Sequence, residues 1–188
     1  MFDIDENKEE YETFKNNVLN YYFKYSIERE VLDAEFDFEL YVDEKIMKNS
    51  KTDFILNGAI DLIYKDSNGE AFILDYKYAE FDPEHIDGYI KQSYIYAMAL
   101  SEIPEYKDLD IKKAKIHFVL SDYIYEVEIK EDKMKKELAR LNQVAYEIHK
   151  ADEGFAKEPE NEEECSRCSY RYFCKPKEFA EQLYEKLD

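Results

Sequence analysis

Residues 58 to 78 restrict most strongly what this chain can fold into. Two apolar runs, Gly58-Ala59-Ile60-Asp61-Leu62-Ile63-Tyr64 and Phe72-Ile73-Leu74-Asp75-Tyr76-Lys77-Tyr78, flank Asp66-Ser67-Asn68-Gly69. β-Branched and aromatic runs on either side of turn residues predict a hairpin, with strands over 54 to 65 and 70 to 78. Each run holds one aspartate among neighbours that want burial, and a buried carboxylate needs a partner. Lys77 stands two residues beyond Asp75 and so projects from the same strand face. The loop then decides where Asp61 goes. A two-residue loop of Asn68-Gly69 would oppose residue 61 to 76 and put the aspartates on opposite faces. A three-residue loop, Ser67 to Gly69 with Gly69 left-handed, opposes 61 to 75 and gathers both carboxylates with the Lys77 ammonium. The second register is expected, because it gives each charge a counter-ion.

Two carboxylates and a lysine on one sheet face are a chemical device. Paired acids are hard oxygen ligands for Mg²⁺, which keeps several waters when bound. Such an ion acidifies a bound water and neutralises charge building on a phosphate. The lysine can orient that water or stabilise the pentavalent phosphorus. The competing reading is an ion pair within a sheet, which occurs without function. The second acid, fourteen positions upstream across a turn, favours the chemistry.

The rest of the chain supplies a frame for this hairpin. Tyr11, Phe14, Val18, Tyr21, Tyr22 and Tyr25 recur at helical spacing over 8 to 28, and 35 to 43 alternate as a strand. Ile86, Tyr89, Ile90, Ala97 and Leu100 predict a helix over 85 to 101 that ends near Pro104. Strands over 114 to 120 and 123 to 129 surround Ser121-Asp122, and Met134, Leu138, Leu141, Ala145 and Ile148 mark a further long helix. Residues 151 to 164 are acidic and contain Gly154 and Pro159, so they read as a connection, with a short closing helix from about 177. This order is that of an α/β domain around a mixed central sheet. At 188 residues, of which 45% are hydrophobic, one ordinary domain is expected.

Charge and cysteine placement narrow the function classes. Lys and Arg total 26 and Asp and Glu 45, a net charge of -19, and a field of that sign repels phosphate at long range. A free-standing nucleic-acid binder is disfavoured. No run approaches a membrane span, and Met1 leads into Phe2, Asp3, Ile4, Asp5 and Glu6 rather than a basic start, so no signal peptide or membrane partner is expected and the cytoplasm is the expected compartment. The 3 cysteines, Cys165, Cys168 and Cys174, all fall near the C-terminal end. Such clustering reads as a metal or cluster site rather than a disulfide framework.

Four motifs in order resemble those of RecB-type nucleases in the PD-(D/E)xK superfamily. They are Gly58-Ala59-Ile60-Asp61, then Leu74-Asp75-Tyr76-Lys77, then Gln92 with Tyr96, and last Cys165-x2-Cys168-x5-Cys174. The last is similar to the cysteine tail of the subset that carries a [4Fe-4S] cluster. That subset includes AddAB-like helicase-nucleases, CRISPR-associated RecB-like exonucleases and nuclease domains fused to UvrD-like helicases. The resemblance implies a restriction-endonuclease-like fold, a mixed central sheet flanked by helices with a C-terminal cysteine segment. It further implies a deoxyribonuclease dependent on Mg²⁺ or Mn²⁺, exonucleolytic on single-stranded DNA in repair or recombination. Asp61 and Asp75 would bind the metal, with the Tyr76 backbone carbonyl as a further ligand. Lys77 would be the catalytic lysine, and Gln92 and Tyr96 would position DNA or that lysine. Glu35 stands where many relatives carry another acid, and is a further candidate ligand.

Relatives with the cluster usually supply a fourth cysteine from a point N-terminal to the nuclease core, and many place a metal-binding histidine in the first helix. Here His85, His117 and His149 all follow Asp61, and no cysteine precedes Cys165. Both gaps fall on one side, so the chain is expected to be the C-terminal piece of a longer protein. The core would span 1 to 150, the cysteine segment 151 to 188, and a helicase would be fused upstream or be a partner subunit. The chain as given is then expected to lack an intact cluster, with Zn²⁺ on three thiolates as the alternative. Two other functions stay open. One is a non-catalytic domain that keeps the fold to bind DNA ends or a partner. The other is an iron-sulfur or zinc-stapled interaction module whose acidic surface docks a basic protein.

Overall fold

A computed structural model describes residues 8 to 25 and 29 to 151. The acidic connection, Cys165, Cys168, Cys174 and the closing helix expected from 177 lie outside the described residues. Internal packing divides the chain at Tyr146, and only the end of one helix is described beyond it.

The described elements run α1 (Lys8–Tyr25), β1 (Glu30–Val42), β2 (Phe54–Lys65), β3 (Ala71–Lys77), α2 (Ile86–Glu102), β4 (Ile111–Phe118), β5 (Tyr123–Glu128) and α3 (Glu131–Ala151). The five strands lie side by side in sequence order. β1, β2 and β3 pair antiparallel, as do β4 and β5, while β3 and β4 pair parallel. A parallel step needs a crossover, and α2 provides it. The result is the α/β architecture with a mixed sheet that the sequence implies.

Position in the sheet explains the composition of β3. Ala71 to Asp75 are all buried, as expected of a central strand covered on both faces. On one face of β3, Ile73 joins a main core that also holds Ile60, Ile63 and the α2 residues Tyr96, Ala97 and Leu100. On the other face Leu62, Tyr64, Phe72 and Leu74 cluster with the Tyr76 ring against them. α1 lies on this second face through aromatic rings. Tyr21 meets Tyr76 edge-on at 5.2 Å and His117 at 5.2 Å, and Tyr25 meets His117 at 5.3 Å. Tyr11, Phe14, Val18 and Tyr22 of the same helix remain largely exposed, so only part of its apolar stripe is covered.

Two strands begin earlier than the sequence pattern indicates. β1 starts at Glu30, not 35, because a register shift between Val31 and Asp33 breaks the alternation that would have marked it. β4 starts at Ile111, not 114. Lys112 and Lys113 are exposed, but the backbone already pairs Ala71 with Ile111 and Phe72 with Lys113. The helix ends follow local chemistry. α2 stops where Ile103 turns extended (φ -80°, ψ 122°) ahead of Pro104, the backbone that a following proline favours. Between β1 and β2, the loop is tied to α3 by buried Asn142, which accepts the Lys51 N–H at 2.9 Å and donates to Ser50 Oγ at 2.6 Å and the Thr52 carbonyl at 2.8 Å.

Candidate active site

The turn between β2 and β3 sets the register of the acidic pair. The Gly69 N–H donates to the Asp66 carbonyl at 2.9 Å, the Asp66 N–H donates to the Glu70 carbonyl at 3.0 Å, and Gly69 has φ 80°. This is a three-residue loop closed by a left-handed glycine. The Asp66 carboxylate reinforces it by accepting the N–H groups of Asn68 and Glu70, each at 2.9 Å. The ladder that follows pairs Lys65 with Ala71, Tyr64 with Phe72, Ile63 with Ile73 and Leu62 with Leu74. The regular pairing ends there, and Asp61 and Asp75 are the next residues on the two strands.

At that step the ladder is replaced by a side-chain contact. The Tyr76 N–H donates to Asp61 Oδ2 at 2.6 Å. Asp61 is therefore met by a peptide group, and the Lys77 ammonium pairs with Asp75 instead, at 2.6 Å from Oδ2. This corrects the expectation that the ammonium serves both acids. Asp75 is 4% exposed. Its Oδ2 is buried, and the Lys77 ammonium is its partner. Burial pushes the Asp75 carboxyl above the usual range; Lys77 opposes this and the Asp61 charge adds to it.

From Lys77 the polar chain continues onto α2. Lys77 Nζ donates to Gln92 Oε1 at 3.0 Å, and Gln92 Nε2 donates to the Tyr96 hydroxyl at 2.7 Å. Gln92 and Tyr96 are four residues apart and share a helix face. Burial raises the Tyr96 hydroxyl to about 12, and Asp75 and Asp61 push it the same way, so both acids lie within its electrostatic reach. The Tyr96 ring is seated by Phe38 at 6.1 Å, edge-on. Phe38 in turn lies over Gly58, its direct cross-strand partner.

The structure thus brings Asp61, Asp75, Lys77, Gln92 and Tyr96 together. Glu35 is not drawn in with them. It is exposed on β1 with φ 52°, and no group of three or more acids, histidines or cysteines that could hold a metal gathers among the described residues. The cysteines expected to hold a cluster lie outside the described residues. One participant was not singled out from the sequence as more than an apolar helix position. Tyr89 presents its ring to Lys77 Nζ at 4.8 Å, and its spacing of three before Gln92 and seven before Tyr96 is the signal that could have found it.

The model of the PD-(D/E)XK nuclease superfamily matches residues 7 to 175. The chain belongs to this superfamily. Its mixed sheet flanked by helices is the restriction-endonuclease-like fold. No curated protein matches the chain. Among solved structures, the crystal structure of SSO0001 is similar with a TM-score of 0.50 and 15% identity, over 89% of this chain and 69% of that one. At that identity the likeness speaks for the fold alone. Superfamily nucleases typically use Mg²⁺ or Mn²⁺, and the residues present fit such an ion. Two carboxylates suffice, because Mg²⁺ is commonly held by one or two plus waters and substrate phosphate. The buried Asp75 carboxylate, met by the Lys77 ammonium, supplies hard oxygens, and the Asp61 charge lies close enough to act on it.

Proposed function

We propose that the chain hydrolyses DNA phosphodiester bonds as a metal-dependent deoxyribonuclease. The observation that carries this reading is the contact series Asp75 to Lys77 to Gln92 to Tyr96, with the Asp61 charge close enough to act on Asp75. Asp61, Asp75 and the Tyr76 carbonyl would hold Mg²⁺ or Mn²⁺, which when bound acidifies water and neutralises charge on the phosphate. Lys77 directs a positive N–H donor at the oxygens of the scissile group. Gln92 fixes the lysine, and the Tyr96 hydroxyl, protonated at physiological pH with its value near 12, fixes Gln92 by accepting its amide N–H. Asp61 holds the Tyr76 peptide in place, so acid and carbonyl are oriented together.

Exonucleolytic trimming of single strands is the finer form of this proposal, with a helicase delivering the strand from upstream or from a partner subunit. A net charge of -19 supports delivery, since such a surface gives DNA no long-range attraction. The Cys165, Cys168 and Cys174 spacing supports membership of the iron-sulfur subset. The test uses single-stranded and duplex DNA labelled at either end, with Mg²⁺, Mn²⁺ or a chelator. Stepwise shortening of the single strand from one end, lost in chelator, is expected. Internal cuts would overturn the exonuclease form, and cleavage that survives chelation would overturn metal dependence.

A further inference from the structure

We propose that Tyr89 is a positioning residue for the catalytic lysine, its ring face fixing the Lys77 ammonium in the geometry needed to meet the phosphate. The inference rests on the reading of Lys77 as the residue that acts on substrate. A lysine side chain has four rotatable bonds, and two contacts leave its charged end free to swing. Lys77 Nζ has an acid at 2.6 Å and an amide oxygen at 3.0 Å. The acid is an ion-pair partner on one side and the amide oxygen a hydrogen-bond acceptor on another. The Tyr89 ring, 4.8 Å away, is the third point, and three points define a position. An ammonium is drawn to the face of an aromatic ring by the ring's quadrupole, more strongly when water is kept away. Here the lysine side chain is 19% exposed.

The ring is itself held. Tyr89 packs edge-on against buried Phe118 at 5.8 Å, and Ser93 Oγ donates to the Tyr89 carbonyl at 3.0 Å one helical turn on. Tyr89, Gln92 and Tyr96 therefore form one face of α2 that carries a ring, an amide and a hydroxyl to the lysine and its partners. At position 89 only an aromatic residue supplies the electrostatic face.

The experiment replaces Tyr89 by Phe and then by phenylalanines carrying one, two and three fluorines, which weaken the quadrupole while keeping the ring. Tyr89→Phe is expected to retain kcat. The fluorinated series is expected to lower kcat stepwise, by roughly tenfold at three fluorines, equivalent to about 1.4 kcal/mol. KM for single-stranded DNA and the melting temperature should stay constant. In the metal-free parent, the Lys77 ε-methylene protons should be shifted upfield by the ring and return to ordinary values in Tyr89→Leu. A kcat insensitive to fluorination, a large loss in Tyr89→Phe, or unshifted Lys77 protons in the parent would each overturn the inference. Lys77→Ala separates the two failures. If it cleaves at the parental rate, the nuclease reading falls. If it is inactive while the fluorinated series is flat, only the role of Tyr89 falls.

Discussion

Gly58→Ala should loosen both the fold and the site, through space rather than backbone conformation. Gly58 does not have a left-handed φ, so alanine fits its backbone. A methyl group there would lie 3.0 Å from Cε1 and Cζ of Phe38 and 3.7 Å from Cε1 of Tyr96. Carbon atoms rest at about 3.5 to 4.0 Å, so the Phe38 ring must retreat by roughly half an ångström. Phe38 is 6% exposed and packs edge-on against Tyr96, so it has little free space to enter. Overpacking of this kind costs about 1 to 3 kcal/mol, against which the stiffer unfolded chain returns about 0.4 to 1 kcal/mol. The net loss, centred on about 1 kcal/mol, lowers Tm by roughly 2 to 4 °C for a chain of this size. Displacement of Phe38 passes to Tyr96 and so to Gln92 and Lys77, and kcat should fall with Tm. Thermal melting by circular dichroism reads the first effect and cleavage of labelled DNA the second. Phe38→Leu on the Gly58→Ala background should recover part of the Tm by vacating the contested space. A Gly58→Ala protein at least as stable as the parent would refute the close approach.

Two further outcomes concern buried charge. Burial holds His117 below its ordinary value of 6.5, with Asp122 opposing and Arg29 and Lys24 adding to the depression. The unfolded chain therefore takes the proton first, and stability present above about pH 6.5 is lost as the pH falls through the depressed folded value. Tm should drop between pH 7 and 5.5, and His117→Phe should flatten that drop; an unchanged slope contradicts the assignment. Asp75 has the opposite consequence, since burial raises its carboxyl. Its favourable contribution exists at low pH and is lost as the pH rises through the raised value. Asp75→Asn should therefore raise Tm at neutral pH while abolishing cleavage, and a lower Tm would show that the Lys77 pairing outweighs burial.

The hairpin was legible because its turn chemistry is local. Asp66, Asn68 and Gly69 select a three-residue loop, and the loop fixes the register as far as Leu62 opposite Leu74, one residue short of the two acids. Lys77 beside Asp75 follows from strand period, and Gln92 above Tyr96 from helix period. What escaped was tertiary. The Tyr76 N–H goes to the Asp61 carboxylate where the β2/β3 pairing ends, a contact that no residue pattern announces. Tyr89 reads as an ordinary core position until the crossover brings α2 over the end of β3. The packing of His117 among Tyr21, Tyr25 and Tyr76 joins residues almost a hundred positions apart. β1 was read short because a bulge erased its alternation, and Glu35, next to that bulge, is left exposed on the strand.

The central claim is that Asp61, Asp75 and Lys77 form one hydrolytic site. The measurement that tests it most directly is the initial rate of DNA cleavage in Mg²⁺ or Mn²⁺ by the parent, Asp61→Ala and Lys77→Ala, alongside the melting curve of each. Loss of a group that stabilises charge in the transition state commonly costs about a hundredfold to a thousandfold in rate. Each variant should lose at least about a hundredfold while still melting cooperatively. Cleavage by both folded variants at the parental rate would place the active site elsewhere.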